Sequence, residues 1–193
     1  ILGAVLYHPS YHFMGHMHLM RINNTGRMGL WIQAMAGQAL SRNTPMVVAN
    51  DIYCVSGTGT SELLWEIAAG AAIGAVCGLH QHGSGVRGGA TLDQTTGLEA
   101  RFQAQVAHAA LGITREEVNG YVLEFLSHYE GSLDNPNTGK SFPELYDEDT
   151  LEIKDEWLEP YYKVCDAISQ LGLDVNNAWR KVLYSRGQPV YTH

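Results

Sequence analysis

Apolar and polar positions follow two different periods in the first 93 residues, and the change of period predicts alternating strands and helices. Short apolar runs typical of strands occur at 3–8 (GAVLYH), 45–54 (PMVVANDIYC) and 75–80 (AVCGLH). The stretches between them, 27–42 and 60–74, have helical spacing instead. This order of elements is typical of a parallel sheet whose faces are covered by helices.

Each of the two intervening helices has an apolar stripe that we expect to be buried against the sheet. The stripe of the first helix consists of Met28, Trp31, Ile32, Met35 and Leu40. The stripe of the second helix consists of Leu63, Leu64, Ile67 and Ala71.

Helices replace strands after residue 93. Two of them begin with the Thr-x-x-Glu pattern of a capping box, Thr96 with Glu99 and Thr114 with Glu117. In the last long helix, Pro160 is expected to lie in the first turn, where proline is tolerated.

Three parallel strands form a poor independent sheet because both edges stay open. A closed (β/α)8 barrel needs eight strands and about 250 residues, whereas this chain has 193 residues and no initiating methionine. We therefore predict an α/β fold that is the C-terminal part of a (β/α)8 TIM barrel followed by C-terminal helices. Residues 1–93 are the last three strand–helix units, and residues 94–193 are a C-terminal helical region whose tail, 176–193, is expected to fray or to dock on a neighbour. A small, open three-stranded α/β sandwich is the alternative.

Charge and cysteine content narrow the class of protein. The net charge is −8, and no lysine and arginine patch is present, which argues against a nucleic-acid partner. The longest apolar stretch, 63–79, contains Glu66 and several glycines, so it predicts a helix followed by a strand and not a membrane span. Three widely spaced cysteines without CxxC spacing are typical of a reducing cytoplasm.

Polar side chains are expected at the carboxyl ends of the predicted strands, where function gathers in parallel α/β folds. His8 and His12 follow the first strand, Asn50 and Asp51 end the second, and the HxH pair of His80 and His82 ends the third. A second HxH pair, His16 and His18, follows the first strand. Two such pairs with Asp51 could build a metal-dependent hydrolase site. Because no further motif supports a metal, we expect these histidines to form hydrogen bonds instead.

Two stretches resemble a known family. TTGLEARFQAQVAHAALGITREEVNGYV (95–122) and GKSFPELYDEDT (139–150) are similar to segments of the monomethylamine:corrinoid methyltransferases of methanogenic archaea. NDIYCVSGTGTSELLWEIAAG (50–70) and SYHFMGHMHLMR (10–21) are similar more loosely. The similarity is collinear and covers nearly all of residues 1–173.

The resemblance implies a (β/α)8 barrel that moves a methyl group from a methylamine to the cobalt of a corrinoid carried by a separate protein. Most members use pyrrolysine, which would lie upstream of this chain. Asp51 aligns with a family glutamine beside the pyrrolysine ring, and aspartate in that place adds a charge that favours a cationic ammonium substrate. His12 and His18 align with family histidines at the barrel mouth and are the expected proton-handling groups.

The resemblance also implies contacts around this site. Asn50 and Tyr53, which flank Asp51, are the expected substrate-binding residues. The corrinoid protein would dock over loops 54–60 and 80–92, and its expected contacts are Gly57, Gly59, His80 and His82. The family forms oligomers, so apolar residues on the last helix are expected to meet another copy. A non-catalytic assembly domain is a further alternative.

Overall fold

Three parallel strands form a sheet in the order β1–β2–β3 in the computed structural model, which describes residues 1–7, 9–89 and 92–178. Helices and strands follow one another as α1 (Leu2–Tyr7), β1 (Tyr11–Met14), α2 (Arg27–Asn43), β2 (Val47–Cys54), α3 (Ser61–Val76), β3 (His80–Val86), α4 (Gly97–Ala109), α5 (Arg115–Ser127), a 3-10 turn (Glu130–Ser132), α6 (Phe142–Leu145) and α7 (Asp155–Gln170). Within these residues the sheet does not close into a barrel.

The first strand is not the predicted one. GAVLYH contributes the helix α1, and the strand β1 begins four residues after α1 ends. A short apolar run has no clear period, so periodicity alone does not separate a helix from a strand. His8, predicted to follow the first strand, lies outside the described residues.

The third strand also begins later than predicted. Ala75 and Val76 extend α3, and Gly78 ends it in the left-handed conformation, with φ at +80°. The Leu79 N–H then donates to Gly74 O over 3.0 Å, as in a Schellman motif. The strand β3 therefore starts at His80, which was predicted to end it.

Helix α2 buries a different face from the predicted one. Met28, Trp31 and Met35 are exposed, whereas Leu30, Gln33, Gly37 and Leu40 are buried. Gly37 is needed for this packing because a Cβ there would lie 2.9 Å from the Leu79 side chain. Met28, Trp31 and Met35 thus mark the outer face of α2, and only Leu40 of the predicted stripe lies in the core.

Helix α3 is the centre of the core. It is buried on all sides from Leu63 to Gly74, so the predicted stripe is confirmed but is only part of the buried surface. The sheet packs on one side of α3, where Gly70 lets Ile52 approach, and α4, α5 and α7 pack around the rest. The helices after residue 93 share this core with the sheet.

The C-terminal helices largely start as predicted. Thr114 and Glu117 form a capping box, and Thr96 caps α4 while its hydroxyl donates to Glu99. Helix α7 starts at Asp155, so Pro160 lies in the second turn and not in the first. Of the tail 176–193, residues 179–193 lie outside the described part. No helix in the described residues is long and apolar enough to cross a membrane.

Candidate functional site

Side chains of β2 alternate between the two faces of the sheet. Asn50 and Ile52 face the helices, because Asn50 Nδ2 donates to Gly70 O over 3.1 Å and Ile52 packs on Gly70. Asp51 and Tyr53 therefore lie on the other face. We call this the Asp51 face and define it by Phe13, Asp51, Tyr53 and His82.

Asp51 is 7% exposed, and its carboxylate has one described ionic partner. His82 Nδ1 lies 3.6 Å from Asp51 Oδ1. The register between β2 and β3 shifts at this point, so that Asp51 pairs with Gly83 and His82 is the extra residue of a bulge. Bulges redirect side chains, and here the His82 ring also meets Phe13 edge-on, with ring centroids 4.8 Å apart.

Tyr53 lies beside Asp51 on the same face. Hydrogen bonding to Asp51, followed by burial and the negative charge of Asp51, raises the pKa of Tyr53 to about 12. The Tyr53 hydroxyl therefore stays protonated at neutral pH. Its ring lies beside Gly15 and Gly85, where a Cβ would make an ordinary van der Waals contact with it at 3.6 Å and 3.7 Å.

The charge on this face is negative. None of the ion pairs among the described residues joins Asp51 to a lysine or arginine. While His82 is neutral, no described ion pair balances the Asp51 charge, and Phe13, Tyr53 and His82 share its face of the sheet. A carboxylate in such surroundings favours a small organic cation.

A buried carboxylate behind the site holds the loop that follows β2. Glu66, on α3, accepts hydrogen bonds from Val55 N–H at 3.0 Å, Ser56 N–H at 2.9 Å and the Thr25 hydroxyl at 2.5 Å. Burial raises the pKa of Glu66, while these bonds lower it. Sequence reasoning missed this role because Glu66 sits in an apolar run near a helix start, where any carboxylate is favoured.

Two predicted site residues lie on the opposite face of the sheet. His12 shares a side of β1 with Met14, which packs against Val48, Leu40 and Leu79. Asn50 is fully buried and accepts from Gln33 Nε2 at 2.6 Å. The structure therefore does not bring His12 or the Asn50 side chain to Asp51. Both Asn50 and Asp51 are also mid-strand and not at the end of β2.

The pair His16 and His18 lies in the loop after β1. His16 Nε2 donates to Gly29 O over 2.7 Å, and burial lowers the pKa of His16. His18 is exposed, and its Nδ1 accepts from Arg21 N–H at 3.3 Å. Both imidazoles thus bond to the backbone of their own loop and of the start of α2.

The four predicted corrinoid contacts do not form one surface. Gly57 is covered by the connector between α5 and α6, because a Cβ there would lie 1.9 Å from Thr138 O. Gly59 has φ at +86° and packs on Leu145. His80 is the first residue of β3 and lies at the amino-terminal end of that strand, whereas Gly57 and Gly59 follow the carboxyl-terminal end of β2. Of the four, His82 alone lies on the Asp51 face.

The geometry does not favour the hydrolase alternative. The two HxH pairs lie in different places, one in a loop and one along β3. In the part of the chain that the structure describes, no three His, Cys, Asp or Glu side chains are placed to hold a metal ion.

Known proteins match this chain along most of its length. The family model described as Monomethylamine methyltransferase MtmB matches residues 1–173. MtmB2 of Methanosarcina barkeri is 31% identical over 175 residues, and MtmB2 of Methanosarcina acetivorans is 30% identical over 175 residues. Each alignment covers 90% of this chain and 38% of the relative.

The structure agrees with a solved relative. The crystal structure of the Methanosarcina barkeri monomethylamine methyltransferase MtmB matches with a TM-score of 0.83 at 30% identity, over 89% of this chain and 38% of that one. A crystal structure of a hydroxylamine complex of MtmB matches equally well. The chain thus spans well under half the length of the relatives it matches. Both the sequence and the fold place it in the monomethylamine methyltransferase MtmB family.

Proposed function

We propose that this chain acts in a methyltransferase that takes the methyl group of a methylamine and passes it to the cobalt of a corrinoid carried by a partner protein. Membership of the MtmB family supports the reaction class. The observation that carries the proposal is the buried Asp51 carboxylate on a face lined by Phe13, Tyr53 and His82.

In this proposal Asp51 binds the substrate as an ammonium cation. A methylammonium ion carries one positive charge and one small apolar methyl group, and the face offers one negative charge and aromatic edges. Tyr53 lies beside Asp51, and in this proposal its protonated hydroxyl, whose pKa is raised by hydrogen bonding to Asp51, orients the carboxylate and so contributes to substrate binding. His82 is the histidine placed to exchange a proton with the site, because its Nδ1 lies 3.6 Å from Asp51.

The rest of the machinery is proposed from the family resemblance. The sheet would be part of a (β/α)8 barrel, and its two open edges and the exposed apolar residues of β1 support this. Pyrrolysine is absent from the 193 residues and would lie in the length of the relatives that this chain does not span. A cytoplasmic location belongs to the same proposal, and the three free, buried cysteines are consistent with it.

Calorimetric titration of the full-length protein with methylammonium chloride tests the cation site. We expect Asp51→Asn to weaken methylammonium binding at least about tenfold, since a buried charge partner is lost. Asp149→Asn, which removes an exposed carboxylate in the turn after α6, is the matched control and should bind as the wild type does. Equal affinity in wild type and Asp51→Asn would remove Asp51 from the substrate site.

Methyl transfer from monomethylamine to a cobalt(I) corrinoid protein, followed by the cobalt absorbance, tests the reaction. His12 and His18 stay predictions from the resemblance, so His12→Asn and His18→Asn are measured beside His82→Asn. We expect His82→Asn to reduce the rate most, because His82 alone of the three contacts Asp51. If the wild-type protein forms no methylated corrinoid, the proposed reaction is wrong.

A further inference from the structure

At Asp51 the strand β2 has lost its pairing with β1 and has just passed a register shift in its pairing with β3. On one side, the pairing with β1 ends where Met14 meets Asn50. On the other side, the register with β3 shifts between Asn50 and Asp51. The direction of a strand side chain depends on the pairing of its own peptide with its neighbours. A neighbouring strand therefore supports Asp51 on the β3 side alone, where the pairing resumes opposite Gly83.

Asn24 supplies the missing pairing through its side chain. Asn24 Nδ2 donates to Asp51 O over 2.7 Å, and Asn24 Oδ1 accepts from Tyr53 N–H over 2.8 Å. The Asn24 backbone N–H also donates to Tyr53 O over 3.1 Å. One amide group thus bonds to the backbone of both Asp51 and Tyr53, as a neighbouring strand would. It is 1% exposed, so water does not compete for these bonds.

Asn24 is itself held from several directions. The next residue, Thr25, donates its hydroxyl to Glu66 and accepts from the Tyr129 hydroxyl at its carbonyl oxygen, over 2.6 Å. Gly29 of α2 packs directly on the Asn24 backbone, where a Cβ would lie 2.2 Å from Asn24 O. The loop before α2, the start of α3 and the end of α5 therefore all determine the position of this amide.

We propose that Asn24 is a positioning residue that acts through Asp51. It fixes the peptides of Asp51 and Tyr53, so that the carboxylate and the hydroxyl lie side by side, and it does not contact the substrate. The proposal rests on the proposed function only where methylammonium is the probe.

The first test uses the full-length protein and no ligand. Asn24→Ala and the milder Asn24→Ser are compared with Asn119→Ala, a control on the exposed face of α5. Hydrogen exchange at the Tyr53 amide should accelerate about tenfold in both Asn24 variants, as expected when one hydrogen bond is lost. In the same variants the pKa of Tyr53, followed by NMR of labelled tyrosine, should fall from about 12 toward its ordinary value of 10.0, because its bond to Asp51 loosens.

The second test asks whether Asn24 acts through Asp51. Asn24→Ala should weaken methylammonium binding about three- to tenfold in the wild-type background and less than about twofold in the Asp51→Asn background. An equal loss in both backgrounds, or an unchanged Tyr53 amide and pKa, overturns the proposal. If the wild type binds no methylammonium, the proposed substrate is wrong, and the Tyr53 measurements alone decide the role of Asn24.

Discussion

At the scale of single residues, two buried carboxylates differ in the number of hydrogen bonds that they accept. Glu66 has three described donors, whereas Glu99 Oε1 is buried with no partner and only its other oxygen accepts from Thr96. Burial raises the pKa of Glu99, and the bonds to its carboxylate lower it by less. An isosteric amide at this position would avoid the cost of burying a charge.

Glu99→Gln should therefore change how stability depends on pH. The folded-state pKa of Glu99 is raised above its ordinary value of 4.5. The protonated carboxyl therefore contributes stability that is fully present below pH 4.5 and is lost as the pH rises through the folded-state pKa. The difference in unfolding free energy between variant and wild type, measured in urea, should be larger at pH 7 than at pH 4. A difference that is the same at both pH values would contradict the raised pKa.

How far the sequence predicts the site is also decided residue by residue. Asp51 and Tyr53 could be found, because one strand pattern and one family resemblance both point to NDIY. Asn24 and Thr25 could not, since they sit in a loop without periodicity and bond to residues far along the chain. His82 was recognised but assigned to docking, because its place beside Asp51 depends on a bulge that no local pattern announces.

At the scale of elements, the loop that follows β2 is held by the connector between α5 and α6. Gly57 N–H donates to Asn137 O over 2.8 Å, and Lys140 N–H donates to Thr58 O over 2.8 Å. The two backbones approach so closely that only glycine fits at position 57. This loop leads directly from the site to α3.

Gly57→Ala should separate these two segments. The added Cβ meets Thr138 O and adjacent backbone atoms, which cannot move aside as a side chain would, so we expect a loss of about 2 to 3 kcal/mol in unfolding free energy. Gly120→Ala is the matched control, because a Cβ there meets nothing and lies inside α5, where alanine should add about 0.5 to 1 kcal/mol. Thermal unfolding of both variants measures the contrast, and a stable Gly57→Ala protein would show that the connector does not hold the loop.

The elements that were placed correctly share a strong local signal. Helices α4 and α5 were found with their caps, because Thr96 and Thr114 precede long periodic runs. Helix α1 and strand β1 were confused, since each is six residues or fewer and its side chains are partly exposed. The buried face of α2 was missed for another reason. Gln33 and Gly37 lie on it, and neither has a large apolar side chain that would mark a buried position in the sequence pattern.

At the scale of the whole molecule, one group of exposed apolar residues lies in the loop after β1 and along α2. Leu19 and Met20 are 90% and 88% exposed in the loop after β1, and Met28, Trp31 and Met35 form an exposed stripe along α2. Helix α7, all of which is described, is the helix expected to meet another copy. Tyr162 is its one large apolar side chain that is more than half exposed. Contiguous apolar surface of this kind marks an interface. The structure therefore favours α2 over α7 as the contact between copies, although the oligomer itself stays a prediction.

Changing the two surfaces separately decides between them. A variant with Met28→Lys, Trp31→Lys and Met35→Lys adds three charges to the α2 stripe, and we expect it to lower the molar mass of the full-length protein in light scattering after size-exclusion chromatography. The control, Tyr162→Lys on α7 with Leu171→Lys at its C-cap, should leave that mass unchanged, because Tyr162 is the one large apolar side chain of α7 that is more than half exposed. All five positions are at least 41% exposed, so lysine should be accommodated without loss of the core. If the α7 variant alone lowers the molar mass, the contact between copies lies on the last helix, as the sequence analysis predicts. An unchanged mass in both variants would mean that neither surface joins copies of this chain.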